Sequence, residues 1–527
     1  MIGYVCKYTP VEVLEAMGAE PFRIDPSVTN FNQADTLMHP NVCSYAKAVL
    51  EDMEHRRYEG IMLTTCCDSI RRLHDRLKER YPDRFIYLLD VPRKVNSYTA
   101  GLYAKRIADM AEAYAAWSGK TWSEAELWEI LKRKAEAERL RRAPKNKSDL
   151  AVGLVGARYS GGLMTLLEDN GIEPVFDLTC INSHRSFASG DMTAYADGLL
   201  NQIPCMRMVD AVNRSRYIEG FADRLDGLIC HTVKFCDNFS YEYAALKQSS
   251  SLPVLKLETD LTEQCEGQIR TRVEAFLESL RLAKSAARTE TGANGAGEGT
   301  AQHKKKEKET MLVLGIDSGS TSTNAVIMNE KKEIVASAVV RTGAKTSDSA
   351  MKILQEVLDQ AGLSREQLDR IVSTGYGRVS IPYADQNVTE ISCHARGARY
   401  FHPQVRTILD IGGQDSKAIR LNEEGEVADF AMNDKCAAGT GRFLEAMART
   451  LELSIEELGP VSLQSTQEVE ISSMCTVFAE SEVISLIAQN TEKADIAHGV
   501  HQAIAGKALS LLKRVGLEPD YMMTGGV

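Results

Sequence analysis

Met311-Leu312-Val313-Leu314-Gly315-Ile316-Asp317-Ser318-Gly319-Ser320-Thr321-Ser322-Thr323 decides how the second half of the chain reads. An apolar run ends in one acid and passes into a turn of glycine and hydroxyls. Such runs, bounded by turn residues, are buried strands. Asn324-Ala325-Val326-Ile327-Met328 begins a second strand after the turn. A hairpin of this kind can offer backbone N–H groups and hydroxyls to phosphates while Asp317 faces a metal ion. The device recurs at Thr407-Ile408-Leu409-Asp410-Ile411-Gly412-Gly413-Gln414-Asp415-Ser416-Lys417. Between the copies, Glu390-Ile391-Ser392-Cys393-His394-Ala395-Arg396-Gly397-Ala398 predicts a helix headed by a carboxylate. Met522-Met523-Thr524-Gly525-Gly526-Val527 is a glycine turn suited to flat contact with a base or ribose.

Two further stretches place a cysteine ahead of a predicted helix. They are Asn433-Asp434-Lys435-Cys436-Ala437-Ala438-Gly439-Thr440-Gly441-Arg442-Phe443 and Met474-Cys475-Thr476-Val477-Phe478-Ala479-Glu480. Helix N-termini favour the thiolate, the form that binds iron. Two cysteines cannot complete a four-thiolate iron–sulfur site, but two copies of the chain across a twofold axis can. Two buried thiols are the bland alternative.

Composition narrows the function classes. The 527 residues allow two to four domains at roughly 100–200 residues each. A net charge of −11 argues against broad nucleic-acid binding. No apolar run reaches the roughly 18 residues of a membrane span, and Met1-Ile2-Gly3-Tyr4-Val5-Cys6-Lys7 lacks a signal-peptide pattern. A cytoplasmic protein is expected, so the 12 cysteines point to metal or redox work rather than disulfides.

Residues 1–102 and 150–285 read as two α/β lobes. Ile61–Thr65 and Phe85–Leu89 are strands around a helix Asp68–Arg80, a parallel βαβ pattern. Residues 103–149 predict a helical arm with a solvated charged face. In the second lobe Ala151–Gly156, Val175–Leu178 and Gly227–Ile229 are strands. Ala157-Arg158-Tyr159-Ser160-Gly161-Gly162 could cradle a phosphate or form an ordinary strand-to-helix turn, since the full dinucleotide fingerprint is missing. Residues 286–310, small, polar and lysine-rich, read as a flexible linker. Residues 311–527 form the second module. Nine cysteines lie in the first: Cys6, Cys43, Cys66, Cys67, Cys180, Cys205, Cys230, Cys236 and Cys265. They form no compact zinc pattern.

The paired acid–glycine hairpins, intervening acidic helix and late Gly-Gly turn resemble the two-lobed actin, hexokinase and sugar-kinase ATPase fold. That resemblance implies Mg-ATP held by Asp317 with Ser318, Gly319, Ser320 and Thr321, and by Asp410 with Gly412, Gly413 and Gln414. Glu390 would orient the attacking water, and Gly525 and Gly526 would meet adenosine. Together with Ser373-Thr374-Gly375-Tyr376-Gly377-Arg378 and the two cysteine stretches, residues 311–527 resemble the activators (component A) of 2-hydroxyacyl-CoA dehydratases, the family of the benzoyl-CoA reductase ATPase subunits. Cys436 and Cys475 match the ligands of a [4Fe-4S] cluster shared by a homodimer; Cys393 does not, and reads as a packed thiol. The family pattern continues past Val527, so a longer product is expected.

Gly3-Tyr4-Val5-Cys6-Lys7-Tyr8-Thr9-Pro10, Asn41-Val42-Cys43-Ser44-Tyr45, Thr64-Thr65-Cys66-Cys67-Asp68-Ser69 and Cys236-Asp237 resemble the cluster-bearing dehydratase subunits and double-cubane cluster proteins. The implied fold is a pair of flavodoxin-like lobes. Cys43, Cys67 and Cys236 would hold one cubane. Cys6, Cys180 and Cys205 would hold a second, or half of an [8Fe-9S] double-cubane cluster. One cubane against two stays open, as does Cys66 against Cys67. Cys230 and Cys265 read as buried thiols. The implied activity is ATP-driven transfer of a low-potential electron from the dimer-bridging cluster to the first module, with flavodoxin or ferredoxin as donor and separate dehydratase subunits as further partners. A small-molecule kinase and a non-catalytic regulatory ATPase are the rival readings.

Overall fold

The computed structural model describes residues 1–26, 28–39, 41–56, 58–140, 148–159, 161–180, 190–262, 266–291, 311–343, 345–433, 437–471 and 476–527. Cys265, Cys436, Cys475, Ser160 and residues 292–310 of the expected linker lie outside them. The chain forms two compact units, Met1–Val273 and Glu274–Val527.

The first unit carries two four-stranded sheets in which every neighbouring pair is parallel. One has the order β2-β1-β3-β4, from β1 (Ile2–Tyr4), β2 (Pro21–Arg23), β3 (Gly60–Thr64) and β4 (Phe85–Leu89). The other has the order β6-β5-β7-β8, from β5 (Val152–Gly156), β6 (Phe176–Asp177), β7 (Gly227–Val233) and β8 (Val254–Thr259). Parallel strands need crossovers, and helices supply them. The helix Asp68–Arg80 joins β3 to β4 and buries Ile70, Leu73 and Leu77 at the i, i+3, i+7 spacing of one helical face.

The expected helical arm is two helices, Ser97–Ser118 and Glu124–Leu140. Asn96 and Thr99 cap the first reciprocally, and Gly119 ends it at φ +70°. Its Tyr103, Ile107, Met110 and Tyr114 share a core with Tyr195 and Leu199. The charged face is exposed, but the apolar face is part of the unit's interior.

The second unit repeats one plan twice. β9 (Leu312–Ser318), β10 (Ser322–Asn329) and β11 (Ile334–Arg341) are antiparallel, and β12 (Arg370–Thr374) returns parallel to β9, with β13 (Gln386–Asn387) outside it. β14 (Thr407–Ile411), β15 (Ser416–Leu421) and β16 (Val427–Asn433) are antiparallel, and β17 (Tyr521–Gly525) returns parallel to β14. This is the two-lobed plan the sequence predicts. The register makes the repeat detailed. Asp317 pairs with Thr374, and Asp410 with Thr524. Gly375 and Gly525 follow those threonines at φ +85° and +98°. A Cβ at Gly375 would overlap the Asp317 carboxylate, and one at Gly525 the carbonyl of Ile411. Each glycine lets a crossover strand pass tightly against the strand that ends in an acid.

Helices fill the remaining core. Phe443 and Met447 of the helix Gly441–Thr450, Ala479 and Val483 of Thr476–Ala488, and Ile496 and Val500 of Lys493–Val515 form one cluster. The two helices downstream of Cys436 and Cys475 thus pack together. No helix among the described residues is long and apolar enough to cross a membrane. Gly375→Ala adds both the φ penalty and the overlap with Asp317. It is expected to destabilise the second unit by about 1–3 kcal/mol, read as a lowered midpoint in urea.

Candidate functional site

Seven thiols of the first unit line one cavity: Cys6, Cys43, Cys66, Cys67, Cys180, Cys205 and Cys236. Six are the predicted cluster ligands of this module, and the seventh is the alternative to Cys67. They stand at the ends of parallel strands, where α/β sheets build their sites. Cys6 follows β1, Cys66 and Cys67 follow β3, Cys180 follows β6 and Cys236 follows β7. Cys43, Cys67 and Cys236, the predicted first triad, are each the N-cap of a helix: Ser44–His55, Asp68–Arg80 and Asp237–Ser249.

Specific contacts gather them. Ser44 N donates to Lys234 O at 3.1 Å, which brings the start of one helix to the turn before Cys236. Phe235, just before Cys236, sits at φ +62°, a strained position for a bulky residue. Cys205 N donates to Tyr8 Oη at 3.2 Å, pinning it near Cys6. Arg158 N donates to Cys180 Sγ at 3.2 Å, so the glycine turn after β5 serves the thiol cavity. Cys230 lies apart in the core beside Val155 and Leu228, as a packed thiol.

Crowded, desolvated thiols resist losing protons. Burial pushes Cys180 up to about 12 and Cys205 up to about 11. It also raises Cys6, with help from Cys66. A hydrogen bond donated to Cys67, together with burial, raises Cys66. Cys43 and Cys236 share a hydrogen bond that holds Cys43 below its ordinary value and lifts Cys236; the amides of Tyr45 and Ala46 also draw Cys43 down. Cations the sequence reading passed over stand among them. Lys7, Arg158 and Arg207 line the same cavity. Arg207 Nη2 donates to Val91 O at 2.7 Å, while its Nε and Nη1 are buried without partners, as is Arg158 Nε. The available signal was a cation within two residues of a cysteine, as in Cys6-Lys7 and Cys205-Met206-Arg207.

An anionic, multi-iron group fits this donor set. It would take one thiolate per iron and accept from the unpartnered N–H groups of Arg158 and Arg207. Among the described residues no three His, Cys, Asp or Glu side chains converge on a point that would hold a single ion. Cluster ligands stand on separate irons and have no need to converge. The cavity has a volume of about 100 Å³, more than a single ion fills.

In the second unit the predicted acids meet in one cleft. Lys417 Nζ lies 3.2 Å from Asp410, 2.9 Å from Asp415 and 3.9 Å from Glu390. Those carboxylates raise its pKa against the opposing effect of burial. Thr524 Oγ1 donates to Asp410 Oδ1 at 3.0 Å, and His394 Nε2 lies 3.6 Å from the same oxygen. Burial pushes Asp317 and Glu390 up, with Lys417 pulling both down. Glu390 heads its helix as predicted, and its Oε2 is buried without a hydrogen bond. Ser318 Oγ and Thr321 Oγ1 of the first turn are likewise buried and unpartnered. The two turns face each other, since a Cβ on Gly413 would overlap Thr321. Gly526 has open space around it. Cys393 packs against Thr374.

The second turn is tied to the segment after Cys436. Gly441 N and Arg442 N donate to Gly412 O and Gly413 O, both at 2.9 Å, and Ser416 Oγ donates to Gly439 O. Sequence reading missed Lys417, His394, Thr524 and Arg378. Each stood inside a quoted motif, but without the register nothing assigned it to the cleft.

Residues 314–527 match the BadF/BadG/BcrA/BcrD ATPase family, and residues 6–150 and 141–280 match the 2-hydroxyglutaryl-CoA dehydratase D-component family. The (R)-2-hydroxyglutaryl-CoA dehydratase activating ATPase of Acidaminococcus fermentans is 48% identical over 219 residues, 41% of this chain and 84% of that one. The (R)-phenyllactyl-CoA dehydratase beta subunit of Clostridium sporogenes is 25% identical over 344 residues, 53% of this chain and 91% of that one. Among solved structures, the activator of the 2-hydroxyisocaproyl-CoA dehydratase from Clostridium difficile with bound ADPNP is 46% identical, covering 41% of this chain and 80% of that one at a TM-score of 0.39.

Lys417→Met would leave three carboxylates around a buried site without their cation. The expected cost is about 3–5 kcal/mol, measured by urea denaturation followed through the second unit's unfolding transition.

Proposed function

The chain belongs to the BadF/BadG/BcrA/BcrD ATPase family through its second unit and to the 2-hydroxyglutaryl-CoA dehydratase D-component family through its first, and on that premise we propose that ATP hydrolysis in the second unit drives low-potential electrons into an iron–sulfur centre of the first. The observation that most supports this is the convergence on one cavity of seven thiols and two arginines that each keep buried N–H groups without partners. The strand order 2-1-3-4 in both sheets of the first unit supports flavodoxin-like lobes.

In this reading Ser318, Gly319, Ser320 and Thr321 grip the phosphates from one side, and Gly412, Gly413 and Gln414 from the other. Gly525 and Gly526 border adenosine. Asp317 and Asp410 would hold Mg2+, which supplies charge neutralisation at the phosphates. Glu390 orients a water on the γ-phosphorus. The water oxygen bonds to phosphorus as the bond to the bridging oxygen breaks, releasing ADP and phosphate. The buried, unpartnered Oε2 of Glu390 supports that role. The hydrogen bonds from Gly441 and Arg442 to Gly412 and Gly413 carry the turn's position to the segment after Cys436, the two-state element that nucleotide biases.

Cys436 and Cys475 of each protomer in a homodimer would hold a [4Fe-4S] cluster. Cys43, Cys67 and Cys236 with Cys6, Cys180 and Cys205 would hold two cubanes or one [8Fe-9S] double cubane. These groups supply one-electron carriers, reduced by flavodoxin or ferredoxin, and separate dehydratase subunits are further acceptors. Val477 and Phe478, 66% and 61% exposed beside Cys475, support a dimer face there. The setting is the cytoplasm.

Oxygen-free preparations test this. Cys436→Ala and Cys475→Ala are expected to remove about four irons per dimer and leave ATP binding intact. Cys43→Ala and Cys236→Ala are expected to deplete iron and sulfide from the first unit and leave ATP hydrolysis intact. Iron, sulfide and visible spectrum unchanged in all four variants would end the reading. So would a phosphorylated small molecule formed in step with ADP.

A further inference from the structure

The helix Glu266–Thr291 contributes two carboxylates to the second unit beside Glu390. Glu278 accepts from Thr389 N at 3.1 Å, from Thr389 Oγ1 at 2.6 Å and from Ser392 Oγ at 2.6 Å. Thr389 is the N-cap of the helix Glu390–Phe401, and Ser392 is its third helical residue. The Thr389 side chain makes no cap bond of its own. A residue more than a hundred positions upstream therefore accepts from the cap's own N–H, the place that the third helical residue fills in a capping box. Glu278 grips both flanks of the first turn, and Glu390 lies between them.

The second carboxylate acts on the charge around Glu390. Glu274 pairs with Arg378, itself buried, through Nη2. Arg378 Nη1 donates to Gly375 O at 3.1 Å and lies 3.8 Å from Glu390 Oε2, beyond hydrogen-bond reach. Without Glu274 the guanidinium could close on Glu390 and occupy the oxygen now left free. A carboxylate that orients water must keep an oxygen clear of strong donors, because a tightly paired carboxylate is a weaker base. Lys417 and Asp415 from the second hairpin and Asp317 from the first also face Glu390.

We infer that Glu278 and Glu274 are positioning residues for ATP hydrolysis: Glu278 fixes the turn that bears Glu390, and Glu274 holds Arg378 away from it. This rests on Glu390 being the water-orienting carboxylate. It adds a control that the ATPase motifs do not contain, since both residues precede the region that matches the ATPase family. The family's own residues surround Glu390, but a helix from upstream of them sets its pose.

Steady-state ATP hydrolysis by the full chain, followed from acid to neutral pH, tests it. Glu278→Ala is expected to lower kcat about tenfold, with KM for ATP within about twofold, because the phosphate turns are untouched. Glu278→Gln keeps an accepting oxygen and is expected to recover most of the loss. Glu274→Gln is expected to lower kcat and move the acid limb of its profile to lower pH, as Arg378 approaches Glu390 and favours its charged form. Glu278→Ala and Glu274→Gln both within twofold of the unaltered chain would overturn the inference. An unmoved acid limb in Glu274→Gln would overturn the Arg378 half of it. If Glu278→Ala fails to bind ATP, Glu278→Gln decides: loss of nucleotide affinity there too means the helix only holds the fold. Full hydrolysis by Glu390→Gln would instead remove the reading beneath, whatever Glu274 and Glu278 do.

Discussion

Both sites answer one constraint: like-charged ligands gathered out of water repel, and the fold must place a cation among them. In the second unit Lys417 stands within 4 Å of Asp410, Asp415 and Glu390. Burial raises Asp317 and Glu390, and Lys417 draws both back down. In the first unit Lys7, Arg158 and Arg207 line the thiol cavity; Arg158 draws Cys180 down, and Lys7 and Arg207 draw Cys205 down, against the larger effect of burial. The difference between the sites is informative. Lys417 is fully engaged by protein carboxylates, whereas Arg207 and Arg158 keep buried N–H groups unused. Unused buried donors are costly unless a further acceptor arrives.

The second constraint is mechanical. Each lobe of the second unit ends its first strand in an acid and brings a parallel strand against it through a glycine of positive φ. The two turns meet at Thr321 and Gly413. Any movement of one lobe against the other changes that contact. The second turn holds Gly441 and Arg442 by backbone bonds, and the helix they begin packs with the helix that follows Cys475. A shift of the second turn would therefore reach the segment after Cys436 through backbone hydrogen bonds and the helix after Cys475 through side-chain packing.

Much of this was legible in the chain alone. The helix Asp68–Arg80 and the strand Phe85–Leu89 lie at their predicted bounds, because apolar period and flanking turn residues are local signals. The paired acid–glycine turns announced the duplicated lobes for the same reason. Residues 103–149 read as a helical arm, yet Tyr103, Ile107 and Met110 are interior. Periodicity shows that a helix has an apolar face, but it does not name what covers that face.

The sequence by itself determined the two modules, their α/β class and the residue types that bear chemistry, since hydrophobic period, glycine turns and cysteine context all act over short separations. Only the tertiary structure decided that Cys6, Cys43, Cys180, Cys205 and Cys236 share one cavity with Cys66 and Cys67, and that Lys417 and Arg378 frame Glu390. It alone placed Glu278 on the turn that bears Glu390. Those pairings depend on strand order and register, which are fixed by burying apolar faces over the whole unit and leave no mark on any one stretch of the chain.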